Sequence, residues 1–344
     1  MQQVDGIENA PVTEWLSRRG DLVLPLDVEV VEGGRSNLTY TVTDATGQRV
    51  VLRRPPLHGV LPSAHDVGRE YRIVRALADS GVPVPPTVGY EPDPAVTGAP
   101  FAVTRFVDGV VVRTAEEARV HLDVAARTAA GANLVDVLAR LHAVDVDAVG
   151  LGDLARREDY LARQLRRWHG QVHQDATRDL PVLDDVHDRL AADPPQQGTA
   201  TLVHGDYRLD NLILDPATGR IRAVLDWELT TLGDPLADLG LLLVYWAEPG
   251  DDVLPLFDAP TTADGFWTRA QVAARYAEVS GRDVSHLDYY VAFGYWKLAC
   301  ILEGVHRRYA AGAYGRTDDR ARAFGDLVLA LGERAADAAK RAGR

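Results

Sequence analysis

The sequence predicts an α+β chain, with a small β-rich N-terminal part carrying one helix and a larger, mainly helical C-terminal part. Short apolar runs separated by Gly, Pro and Asp/Thr turn clusters fill residues 27–107. From Gly109 onward apolar residues recur at helical spacing instead. The length, 344 residues, suits two ordinary domains or one large domain of two parts. The pattern changes near Val107–Val111, which divides the chain into residues 1–107 and 108–344.

In the first part the strand candidates are Val28–Val31, Leu38–Val42, Arg49–Arg53, Thr87–Tyr90 and Phe101–Val107. A helix from about Asp66 to Ser80 interrupts them, with Tyr71, Val74, Leu77 and Ala78 at helical spacing and Gly81 and Pro83 as its stop. In the second part, Ala130–Val144 places Leu134, Val137, Leu138 and Leu141 on one face. Helical segments at Glu158–Gln174 and Leu183–Ala192 follow, then a β-rich island at Thr201–Trp227. Residues 236–247, 266–280, 286–310 and 317–341 read as helices.

Composition narrows the function. The net charge of −13 argues against a nonspecific nucleic-acid binder, which needs a basic footprint. One cysteine, Cys300, excludes an internal disulfide or a cysteine-based zinc site, and its apolar neighbours predict a buried thiol. The first residues lack a basic and apolar leader pattern, and no apolar run approaches the ~20 residues of a membrane span. The expectation is a soluble, cytoplasmic protein without a membrane or nucleic-acid partner.

The chemistry concentrates in His204-Gly-Asp-Tyr-Arg-Leu-Asp-Asn-Leu-Ile-Leu214 and Ala223-Val-Leu-Asp-Trp227. An apolar strand at Thr201–Val203 delivers a polar loop. Leu212–Leu214 and Ile221–Leu225 then form a hairpin that ends on Asp226. Asp206, Asn211 and Asp226 converge at one end of it, and two carboxylates with an amide oxygen suit a hard cation such as Mg²⁺. Phosphoryl transfer needs such a set, with the metal neutralising phosphates and one carboxylate left to orient and deprotonate a hydroxyl.

These segments resemble the catalytic loop H-G-D-x-x-x-x-N, and the following strand ending in D-W, of the aminoglycoside phosphotransferase and choline-kinase-like superfamily. The longer match, HGDYRLDNLILD with LDWELTTLGDPLADLG, is most similar to the kinase-like domains associated with acyl-CoA dehydrogenases. The resemblance implies a protein-kinase-like two-lobed fold and an ATP- and Mg²⁺-dependent transfer of the γ-phosphate to a hydroxyl of a small molecule. It implies Asp206 as catalytic base, Asn211 and Asp226 as metal ligands and His204 as a structural brace. Asp234-Pro235 reads as a helix start. Asp238, one turn on, is either a bond acceptor for the catalytic loop or a plain first-turn acid.

The nucleotide side then falls in the first part. Glu32-Gly-Gly-Arg-Ser-Asn37 is either an ordinary turn or a phosphate loop with Ser36 as donor. The phosphate-binding lysine of the superfamily is absent, since Lys297 and Lys340 are the only lysines, and Arg53 takes its place with Glu70 as ion-pair partner. Thr104–Asp108 would be the hinge, with adenine at the backbone of Arg105, Phe106 and Val107.

The acceptor is less legible. Beyond Leu241, fourteen acids face thirteen bases, a balance that weighs against a polycationic acceptor. Arg163 and Arg167, on one helix face, are either solvated or an anion site. Trp246 and Lys297 either line the acceptor pocket or belong to the core. A hydroxyacyl-CoA-like metabolite fits the resemblance, with an acyl-CoA dehydrogenase as a pathway partner. The alternatives are an aminoglycoside or macrolide phosphotransferase, and a nucleotide-binding pseudokinase scaffold.

Overall fold

A computed structural model describes residues 9–31, 37–55, 66–174, 176–251, 258–312 and 318–343. Residues 32–36 of the segment read as a turn or phosphate loop, Ser36 among them, lie outside the described residues.

The first part is a five-stranded antiparallel sheet of β1 (Asp27–Val30), β2 (Leu38–Thr43), β3 (Arg49–Arg54), β4 (Thr87–Glu91) and β5 (Phe101–Arg105), in the order β1-β2-β3-β5-β4. The period-two alternation decides what each face does. Tyr40, Val42, Val50, Leu52, Phe101 and Val103 are buried with Trp15 and Leu16 of helix α1 (Asn9–Arg19). Trp15 packs edge-on to Phe101 with ring centroids 4.9 Å apart, and its indole N–H donates to Glu91 at 2.8 Å. The intervening residues Thr39, Thr41, Val51, Arg53, Ala102 and Thr104 line a cleft. One face is thus closed by α1 and the other is kept for the site. Sequence reading missed α1.

Helix α2 (Val67–Ala76) starts on Asp66, whose side chain accepts the Arg69 N–H at 2.9 Å. It buries Glu70 with Ile73 and Val74.

Helices α3 (Ala115–His121) and α4 (Val124–His142) open the second part, followed by α5 (Tyr160–His173) and α6 (Pro181–Ala192). Then come β6 (Thr201–Val203), β7 (Leu212–Leu214), β8 (Ile221–Val224) and β9 (Thr231–Gly233), with β6 pairing β9 and β7 pairing β8 as antiparallel ladders. The predicted hairpin is therefore β7–β8. Helices α7 (Leu236–Tyr245), α8 (Arg269–Ser280), α9 (Leu287–Ala310) and α10 (Asp318–Arg341) complete the chain. Cys300 is buried on α9, and burial pushes its thiol well above the ordinary value. No helix among the described residues is long and apolar enough to cross a membrane.

Helices α7 and α9 approach closely because glycine stands at the crossing. A Cβ on Gly240 would lie 2.4 Å from the carbonyl oxygen of Tyr290. Gly240→Ala is therefore expected to cost about 1–3 kcal/mol by overpacking. The readout is a lower urea midpoint at unchanged slope, whereas an unchanged midpoint would mean that the crossing tolerates a methyl group.

Candidate active site

The cleft between the open face of the sheet and the β7–β8 hairpin has a volume of about 1120 Å³. Its lining brings together Arg53 and Glu70 of the first part with Asp206, Asn211 and Asp226 of the second.

The loop after β6 is built by local hydrogen bonds. Asn211 Nδ2 donates to the Asp206 carbonyl at 2.8 Å and to Asp206 Oδ2 at 2.9 Å. The five-residue interval between them is what lets one amide clamp both backbone and carboxylate. With the nitrogen committed, the Asn211 amide oxygen is the acceptor that remains. The Tyr245 hydroxyl also bonds Asp206, and burial followed by that carboxylate's charge pushes the phenol well above its ordinary value. Arg208 stands 3.5 Å from Asp206 Oδ2 and 3.2 Å from Asp210, with its guanidinium 4.6 Å over the Tyr245 ring. Sequence reading passed over Arg208 and Tyr245: the first sits inside the motif at an unspecified position, and the second ends an apolar helix.

Asp226 follows β8 with φ +64°, a left-handed conformation that aspartate tolerates better than most residues. Its Oδ1 is buried without a hydrogen-bond partner and lies 3.5 Å from Arg53 Nη2. Arg53 Nη1 is 3.2 Å from Glu70 Oε2, so one guanidinium spans both carboxylates. Glu70 takes a further bond from Asn37 Nδ2 at 2.9 Å. Burial pushes the Glu70 carboxyl up, and Arg53 opposes the shift. The Asp226 oxygen without a hydrogen-bond partner and the Asn211 amide oxygen belong to residues on the same cleft lining, a donor set that fits a hard divalent cation such as Mg²⁺.

Beneath the loop lies a buried polar network. Asp238, 1% exposed, accepts the His204 N–H at 2.6 Å and the Gly205 N–H at 2.8 Å. His142 Nε2 lies 3.2 Å from the same carboxylate, and His142 Nδ1 is 2.7 Å from the Tyr276 hydroxyl. Of the two readings of Asp238, the structure has the bond acceptor for the loop. Burial alone would raise its carboxyl; the His142 bond and charge, His204 and the Gly205 N–H outweigh it and hold it below the ordinary value. His204 Nε2 reaches the Leu225 carbonyl at 2.9 Å, tying the loop to the β8 end. Asp234 accepts the Leu236 N–H at 3.0 Å at the start of α7.

The remaining predicted residues are placed differently. Arg105, Phe106 and Val107 line the cleft, but the Arg105 side chain bonds the Gly20 carbonyl at 3.1 Å. The backbone N–H groups of Arg105 and Phe106 are already committed to Pro86 and Arg49. Arg163 and Arg167 do not line the cleft: α5 buries Leu161, Leu165, Trp168 and Val172, and the arginines fall off that face. Lys297 is buried and donates to the Gly205 carbonyl at 3.0 Å, so it supports the loop after β6 from below rather than lining the cleft. Burial pushes its ammonium below the ordinary value. Trp246 reaches the lining, with its indole N–H spent on the Trp267 carbonyl at 2.7 Å.

Residues 27–279 match the family model described as phosphotransferase enzyme family. Acyl-CoA dehydrogenase family member 10 of Mus musculus is 34% identical over 322 residues, covering 93% of this chain and 30% of that protein. The chain thus spans under a third of that relative's length. A solved structure from Ralstonia eutropha JMP134, provisionally named an aminoglycoside phosphotransferase, is 31% identical with a TM-score of 0.81, covering 97% of this chain and 98% of that one. Choline kinase of Cryptosporidium parvum Iowa II has a TM-score of 0.64 at 12% identity over 96% of each chain, a likeness of fold alone. The two-lobed, kinase-like fold expected from the motifs is the fold these proteins share.

Replacing Asp238 by asparagine would set an amide N–H₂ against at least one of the backbone donors it now accepts. Asp238→Asn is expected to cost about 3–5 kcal/mol at neutral pH, as does breaking other buried charged networks. The folded-state carboxyl lies below the unfolded one, so this contribution is present above about pH 4 and is lost as pH falls through the lower folded value. Urea unfolding at neutral pH checks it; equal midpoints would contradict the network's role.

Proposed function

The chain belongs to the phosphotransferase enzyme family, and from the cleft's donor set we propose that it moves the γ-phosphate of ATP to a hydroxyl of a small metabolite. The observation that carries this is the buried Asp226 oxygen without a hydrogen-bond partner, 3.5 Å from Arg53 and on the same cleft lining as the clamped Asp206–Asn211 pair. Asn211 and Asp226 would hold Mg²⁺, which when bound neutralises charge on the transferring phosphate. Asp206 orients the acceptor hydroxyl and takes its proton as the oxygen attacks phosphorus and ADP leaves. Arg53 meets the phosphates as a planar fork rather than a point charge, and Glu70 holds it in place. Adenine sits against the Arg105–Val107 segment. Because two N–H groups there serve the protein's own strands, its edge is met by Val107 and by carbonyl oxygens.

The acceptor we propose is an acyl metabolite bearing a hydroxyl and an anionic group, of the hydroxyacyl-CoA kind. Arg113 and Arg320 stand on the cleft lining with Trp246 and Phe324, which pairs positive charge with apolar surface. The relative named as an acyl-CoA dehydrogenase supports the same class and a dehydrogenase partner in the pathway.

The test is Mg²⁺-dependent ADP release against hydroxyacyl-CoAs, aminoglycosides, macrolides and choline. Turnover is expected with the hydroxyacyl thioesters, and Asp206→Asn should lower it about 10²–10⁴-fold while remaining folded. Full turnover in that variant removes Asp206 as base. A signal only with an antibiotic replaces the acceptor and leaves the chemistry standing.

A further inference from the structure

Away from the cleft, His169 and His173 lie one turn apart on α5 and face Asp184 in the first turn of α6. His169 Nε2 is 3.1 Å from Asp184 Oδ1, His173 Nε2 is 2.8 Å from the same oxygen, and the two Nε2 atoms are 3.1 Å apart. His187, one turn beyond Asp184, stacks on the His169 ring at 4.0 Å between centroids.

Hydrogen bonding leaves at least one edge of this triangle unfavourable. If both imidazoles donate to the carboxylate oxygen, two N–H groups confront each other; if only one does, a nitrogen lone pair confronts the oxygen. A cation satisfies all three edges together. An ion about 2.05 Å from each atom stands about 1.1 Å out of their plane and sees angles of about 85–100°. Those are the angles of three facial positions, with further positions left for water. We propose that His169, His173 and Asp184 form a site for a divalent transition metal, Zn²⁺ or its chemical neighbours, that clamps α5 to α6. Two imidazoles with one carboxylate select such ions over Mg²⁺ or Ca²⁺, which prefer all-oxygen sets. The clamp lies near the catalytic support: the Leu183 carbonyl, beside Asp184, accepts the Trp296 indole N–H at 2.9 Å, and Trp296 precedes Lys297.

The test uses the untagged 344-residue chain, stripped with chelator and titrated with Co²⁺ and with Zn²⁺ against a chromogenic competitor. One equivalent should bind, with ligand-field absorption of mixed imidazole and carboxylate donors and a rise in thermal midpoint. His173→Ala and Asp184→Asn should each weaken Zn²⁺ binding about 100-fold or more and abolish the midpoint rise. The exposed His121→Ala and the cleft variant Asp226→Asn should leave both unchanged. Binding that survives His173→Ala and Asp184→Asn, that disappears in Asp226→Asn, or that occurs only at millimolar metal would overturn the site.

Discussion

The site depends on one buried carboxylate. Asp238 is removed from water, and a charge there is tolerable only when its acceptor capacity is filled. It is filled by two consecutive backbone N–H groups, those of His204 and Gly205, and by His142. The Gly205 carbonyl is held from the other side by Lys297. Both polar groups of Gly205 are thus pinned, and its φ of +87° belongs to a region that glycine enters freely. A side chain there would also meet the Leu229 carbonyl at 2.8 Å. Asp206 is the next residue, so its carboxylate inherits a backbone position set from the helical core.

Arg53 joins this core to the sheet. Its guanidinium touches Glu70 of α2 and Asp226 after β8, linking three elements across the cleft. A lysine would present a single point there, whereas the arginine fork reaches two carboxylates at once. The cleft face of β3 supplies Arg53 because its alternate residues are taken up by the α1 core.

Much of this was legible in the sequence, for reasons that differ by residue. The five strands of the first sheet and the β7–β8 hairpin show as apolar runs between turn residues, and α4 and α9 as long periodic stretches. Asp206, Asn211 and Asp226 are local in sequence and sit in a rigid motif, so their shared place on the cleft follows from a single hairpin. The partnership of Arg53 with Glu70 was legible once strand and helix were in place. The acceptor residues were not. Spacing puts Arg163 and Arg167 on one face of α5, but which face meets the cleft is decided by packing on α6 and α9. Lys297 carries a charge in an apolar helix, and only the fold reveals that its partner is a backbone carbonyl. Helix α1 is short and weakly periodic, and its worth comes from the sheet face it covers. The histidine pair on α5 needed Asp184 from another helix before it meant anything.

The most direct test of the central claim is calorimetric titration of a nonhydrolysable ATP analogue with and without Mg²⁺, in the wild type and in Asp226→Asn. The account predicts binding that Mg²⁺ strengthens in the wild type, and loss of that metal dependence in the variant. Binding equally strong with and without Mg²⁺ in both proteins, or none at all in the wild type, would contradict it.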